Sequence, residues 1–175
     1  MATTALISII CADKPGLIAD VTGLLFDLGV NLGDTTFAVL GGGAEFTLVA
    51  KLPAEISVAA IEDELKTLPL LHDAKLLVQP FQYHESHHDN AQITHRIEIT
   101  GDDSPGLIAR LSEAFPQFDA NIVRLNSESV PSASGARFVL RLAISVPPAK
   151  AASCLAAVTN TAGQMQLKCQ WQQVG

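Results

Sequence analysis

Seven residues, Asp13-Lys14-Pro15-Gly16-Leu17-Ile18-Ala19, return ninety positions later as Asp103-Ser104-Pro105-Gly106-Leu107-Ile108-Ala109. Each occurrence follows an apolar, strand-like run and opens a run with apolar residues at helical spacing. A strand that turns through Pro-Gly into a helix leaves backbone N–H groups without intrahelical partners, a place suited to a small anion. A chain that repeats this junction at a fixed distance is predicted to be a duplicated unit of strands and helices, with the junction as its functional centre.

Residues 3–11 are apolar and β-branched almost throughout, as in a central strand. Pro15 is expected at the first helical position, where its missing N–H is harmless. Leu17, Val21, Leu24, Leu25 and Leu28 form one apolar stripe that Gly29 ends. Strands over 30–40 and 44–52 flank Gly41-Gly42-Gly43. These glycines lack the Gly-Lys-Ser/Thr ending and the following helix of a phosphate loop, and are expected to be a hairpin tip. A second helix is predicted from Pro53, with Ile56, Ala59, Ala60 and Leu65 inward, ending at Leu68-Pro69-Leu70 before a strand over 74–81. The polar stretch 83–91 is expected to be a linker.

The order then repeats. A strand over 93–100 precedes Ser104, an expected N-cap before Pro105. Leu107, Leu111, Ala114, Phe115 and Phe118 form the stripe. Strands over 120–130 and 136–146 surround a turn at 131–135, a helix runs from Pro147-Pro148 to about Ala162, and 164–174 closes as a strand. Each half is therefore strand, helix, strand, strand, helix, strand. The fold class predicted is α+β: two tandem ferredoxin-like βαββαβ sandwiches, over 1–82 and 92–175, each with four antiparallel strands burying one face against two helices. Arg137, Val139 and Arg141 alternate with Phe138, Leu140 and Leu142, the pattern of a sheet with one wet face.

Composition narrows the function. The net charge is −7 and no run of Lys and Arg occurs, which disfavours direct nucleic-acid binding. A basic strip shared by Lys14, Arg124, Arg137 and Arg141 would revive it. No apolar run is long enough to cross a bilayer, and the first residues carry no basic region. Cys11, Cys154 and Cys169 are odd in number and widely spaced, which fits a cytoplasmic protein without a disulfide framework.

The motif at 13–19, followed by Leu28-Gly29-Val30-Asn31-Leu32, resembles the ACT domain, a small amino-acid-sensing regulatory module. The second half matches with 103–109 and Phe118-Asp119-Ala120-Asn121-Ile122. The match spans essentially the whole chain, and such a tandem pair is similar to the glycine cleavage system transcriptional repressor group. The resemblance implies a non-catalytic regulator that binds a small amino acid, glycine among the candidates. It would act on transcription through a protein partner such as an activator, and form a homo-oligomer. ACT domains bind amino acids where the strand–helix loop of one domain faces a partner domain. This implies Asp13, Pro15, Gly16, Leu17, Ile18 and Asn31 in the first half, and Asp103, Pro105, Gly106, Leu107, Ile108 and Asn121 in the second. The glycines let a carboxylate approach the backbone, the aspartates accept from an ammonium, and the asparagines both donate and accept. No cofactor or metal is implied.

Other readings stay open at this stage. The Pro-Gly turns can be purely structural, Asn31 and Asn121 can cap turns, and the chain can be an interaction module without a ligand, or the detached regulatory subunit of an enzyme of amino-acid metabolism. His84, His87 and His88 with Glu85 and Asp89 resemble a metal set only loosely. Cys11 sits near the first loop, where it is a small hydrophobe or a redox group. No paired carboxylates or Ser-His-Asp order support catalysis. Two departures separate the halves. Pro116 and Asp119 replace the context of Gly29, so the second half's first helix is expected to end early or kink. Lys14 replaces the expected cap Ser104, which leaves the first loop the more open and ranks it as the better ligand site.

Overall fold

Alternation in the strands writes the buried face of each sheet. In β1 (Thr3–Ala12), Ala5, Ile7 and Ile9 are fully buried while Leu6, Ser8 and Ile10 point to the other face. In β3 (Gly43–Leu52), Ala44, Phe46, Leu48, Ala50 and Leu52 are buried in the same way. Each fully buried aliphatic side chain contributes about 1.5–3 kcal/mol. The structure, a computed structural model, describes residues 3–83, 88–132 and 135–174. The chain divides into two compact units, Met1–Tyr83 and His84–Gly175.

In the first unit, α1 (Leu17–Asp27) follows β1, then β2 (Asn31–Leu40), β3, α2 (Val58–Lys66) and β4 (Lys75–Pro80). The sheet is four-stranded in the order β2-β3-β1-β4, with every neighbouring pair antiparallel. Leu17, Val21 and Leu25 of α1 and Ile61 and Leu65 of α2 pack into one core with β1 and β3. The second unit repeats this plan. Its elements are β5 (His95–Asp102), α3 (Leu107–Ser112), β6 (Asn121–Ser132), β7 (Gly135–Ser145), α4 (Pro148–Gln164) and β8 (Lys168–Gln173), with sheet order β6-β7-β5-β8. The chain is therefore two tandem βαββαβ sandwiches, as expected. Each Pro-Gly loop joins the first, central strand of its sheet to the first helix.

Several boundaries differ from the expectations. Both first helices begin one residue after glycine, at Leu17 and Leu107, so neither Pro15 nor Pro105 occupies the first helical position. The second helix starts at Val58, not Pro53. The Pro53 carbonyl accepts from Ile56 N–H in a separate turn, and Ser57 caps the helix through its Oγ, which accepts from Ala60 N–H at 3.1 Å. Leu65 faces the core as expected, but Ala59 and Ala60 are exposed and Ile61 is buried in their place. In the second unit α4 runs on to Gln164, so the last strand starts at Lys168. As expected, α3 ends early, at Ser112, because Pro116 has no N–H to donate to the Ser112 carbonyl. The turn residues Ala133 and Ser134 lie outside the described residues, as do His84, Glu85 and His87 of the loose metal set. Among the described residues no helix is long and apolar enough to span a membrane.

Candidate functional site

The two Pro-Gly loops are built alike. Asp13 N–H donates to the Gly42 carbonyl at 3.2 Å, tying the first loop to the tip of the β2–β3 hairpin. Asp103 N–H donates to the Ala136 carbonyl at 3.2 Å in the second. Gly16 and Gly106 then take left-handed conformations, with φ of 92° and 85°, a region that costs an L residue about 1–2 kcal/mol. Each is the N-cap of its helix, and neither helix receives a side-chain cap. Ser104 therefore does not cap, and the difference in capping expected from Lys14 and Ser104 is absent. Leu17 and Leu107 are buried, at 2% and 4% exposure, so only their backbones face outward, while Asp13, Pro15, Ile18, Asp103, Pro105 and Ile108 are exposed.

A cavity of about 240 Å³ opens beside the second loop. Asp103, Ser104, Gly106, Leu107, Ile108 and Ala109 line it from the loop side, Ser127 and Ser129 from β6, and Phe138 from β7. The wall combines one carboxylate, three hydroxyls and the first-turn backbone, and Leu107 and Phe138 supply an apolar floor. This set can hold an ammonium and a carboxylate together.

Strand register explains how the halves diverge beneath equivalent loops. In β6, Ser127 pairs with Leu140 and Ser129 with Phe138. The corresponding pairs in the first sheet are Phe37 with Phe46 and Val39 with Ala44. Phe37 packs edge-on to Phe46 with ring centroids 5.8 Å apart. Where the second unit has hydroxyls, the first has an aromatic ring and a valine. Cys11 and Ala44 likewise pair where Gly101 and Phe138 pair, so bulk has moved from one strand to its neighbours.

Of the predicted residues, Asp103, Gly106, Leu107 and Ile108 share this cavity, and Pro105 stands in the same loop outside the lining. Asn121 does not join them. It pairs with Ser145 at the far end of the sheet, and its Nδ2 donates to the Asn90 carbonyl at 3.0 Å. Asn31 pairs with Lys51, which pairs with Thr4, so it too lies at the end opposite its own loop. Eight strand residues separate each asparagine from its loop, about 25 Å. Ser127, Ser129 and Phe138 line the cavity without having been singled out from sequence. The Ser-Glu-Ser alternation was visible, but the register that turns both serines to the loop was not.

Burial pushes the Cys11 thiol up, with Lys14 pulling the other way. Burial also raises Cys154 and Cys169. All three are thus held as thiols, not as the thiolates that react. Among the described residues no group of three His, Cys, Asp or Glu could hold a metal ion. Arg124, Arg137 and Arg141 do share one face of the second sheet, with Arg96 and Lys168. Arg141 is tied by Glu98 at 3.0 Å and Glu128 at 2.7 Å, and Lys14 belongs to the first unit.

Residues 5–70 and residues 96–172 each match the ACT domain. Among solved structures, an unknown protein from Galdieria sulphuraria is 19% identical, with 100% of both chains covered and a TM-score of 0.77. A candidate glycine cleavage system transcriptional repressor is 17% identical, with 99% of this chain and 98% of that chain covered and a TM-score of 0.68. At these identities the likeness is one of fold. No curated protein matches.

Proposed function

The chain belongs to the ACT-domain family, as two domains in tandem, and from that premise we propose that it is a non-catalytic regulator that senses a small amino acid and acts on transcription through a protein partner. The ligand site is the cavity beside the β5–α3 loop, and its lining is the observation that carries the reading. Asp103 receives the ammonium, and the Ser104, Ser127 and Ser129 hydroxyls with the Gly106–Ala109 backbone receive the carboxylate. Glycine is the first candidate, because a full-length structural relative is a candidate glycine cleavage system repressor. The β5–α3 loop ranks above the first loop, since Phe37 and Val39 stand in the first unit where the serines stand in the second.

Calorimetry of the purified chain against the twenty amino acids tests this. At least one should bind with one site per chain, and Asp103→Asn should weaken it about tenfold, or ~1.4 kcal/mol. No binding at millimolar ligand would leave the ligand-free interaction module as the better reading.

Direct nucleic-acid contact has one observation in its favour, the arginines gathered on the outer face of the second sheet. Glu98, Glu128 and Asp102 stand on that same face, and the whole chain is acidic. A gel shift at low salt distinguishes the two: a complex that dissolves steeply with salt supports phosphate contact.

A further inference from the structure

The outer faces of the two sheets differ in chemistry although their topology is the same. In register, Leu6, Ile10 and Leu77 of the first sheet stand where the second has Arg96, Thr100 and Gln170. Ile10 and Leu77 are 52% and 50% exposed, and Leu6 and Val49 lie half-buried beside them. Both helices of the first unit pack on the opposite face, against Ala5, Ile7 and Ile9. Ser8, hydrogen-bonded to Thr47 at 3.2 Å, interrupts the β1 row, and Leu77, paired with Ser8, lies diagonally between Leu6 and Ile10; an exposed apolar patch of this kind marks an association surface.

The charges bordering the patch specify what covers it. One row across β3, β1 and β4 is Glu45, Ile10, Lys75. The two charged residues are two strand spacings apart, about 10 Å, on either side of β1. Turning a second copy over about an axis along β1 keeps each row level and exchanges β3 for β4. Glu45 then meets Lys75 of the other copy and Lys75 meets its Glu45, with Ile10 against Ile10 and Leu6 against Leu6 between them. A partner surface of one sign would match one of these charges and oppose the other.

We propose that the outer face of the first sheet is an isologous interface at which two copies of this chain pair sheet against sheet. Stacked sheets lie about 10 Å apart with strands within about 30° of each other, and a two-fold axis makes each patch its own complement. The second sheet does not offer the same surface, because Arg96 stands in place of Leu6 and Arg141, held by Glu98 and Glu128, in place of Thr47.

Sedimentation equilibrium on the full chain tests the pairing through two exposed positions that leave the core alone. The wild type is expected to dimerise. Glu45→Lys or Lys75→Glu alone sets like charges against each other, and each should raise the dimer dissociation constant at least tenfold. The double reversal should restore it, and a mixture of the two single variants should form a heterodimer, since each then offers what the other lacks. A monomeric wild type overturns the proposal. So does a dimer indifferent to both single reversals, which would place the contact on an edge strand or on the second unit.

Discussion

Gly16 and Gly106 are needed for their backbone, not for space. A Cβ at Gly106 meets nothing within 4 Å, and one at Gly16 only Leu70 Cδ1 at 4.0 Å. Alanine at either position should therefore destabilise by about 1–2 kcal/mol through left-handed strain alone, read as a lower urea midpoint with an unchanged slope. Gly101 is the reverse case. Its backbone is ordinary, but a Cβ there would stand 2.5 Å from Leu167 Cδ2 and 3.3 Å from Leu167 Cα. Gly101→Ala should destabilise by about 1–3 kcal/mol through overpacking, with Leu167→Ala in the same chain recovering part of that loss. The cysteines give a pH prediction. Burial holds their pKa above the ordinary 9.0, so the folded state favours the neutral thiol. Their contribution to stability is complete below that value and fades as pH rises through the folded pKa. Labelling by a thiol reagent at neutral pH should be slower than for free cysteine, and should approach it in urea.

At the scale of elements, Ser57 is the one α-helix N-cap of the first unit with a side-chain bond, and Ser57→Ala should lower stability by about 1 kcal/mol. Element order was legible because the strands alternate and the α1 stripe keeps a helical period. The starts of the helices were not. Proline at the first helical position is a sound local preference, yet Pro15 and Pro105 precede a left-handed glycine that opens the helix one residue later. Lys14 against Ser104 looked like a difference in capping, which neither helix shows; the proposed ranking of the loops rests instead on β2 and β6, where Phe37 and Val39 align with Ser127 and Ser129. Sequence shows which residues alternate, and pairing between strands decides which of them stand beneath a loop. Replacing Ser127 by Phe and Ser129 by Val, the residues of the first unit, should abolish amino-acid binding by calorimetry while leaving the thermal midpoint of the unliganded chain within a few degrees.

For the whole molecule, the two hydrophobic cores share no residue. Residues 1–83 and 84–175 expressed separately should each unfold in a single cooperative transition. Acidic charge is unevenly spread between them: 1–83 holds four Lys and Arg against ten Asp and Glu, and 84–175 holds seven against eight. Lowering the pH should therefore relieve more self-repulsion in the first fragment than in the second. The exchange of Phe37 and Val39 for Ser127 and Ser129 also bears on how steeply such a protein can respond. With one amino-acid site per chain, as proposed for the β5–α3 cavity, a single chain would answer its ligand along a simple hyperbola. A sharper threshold then requires coupling between chains, and a two-chain assembly caps the Hill coefficient at two.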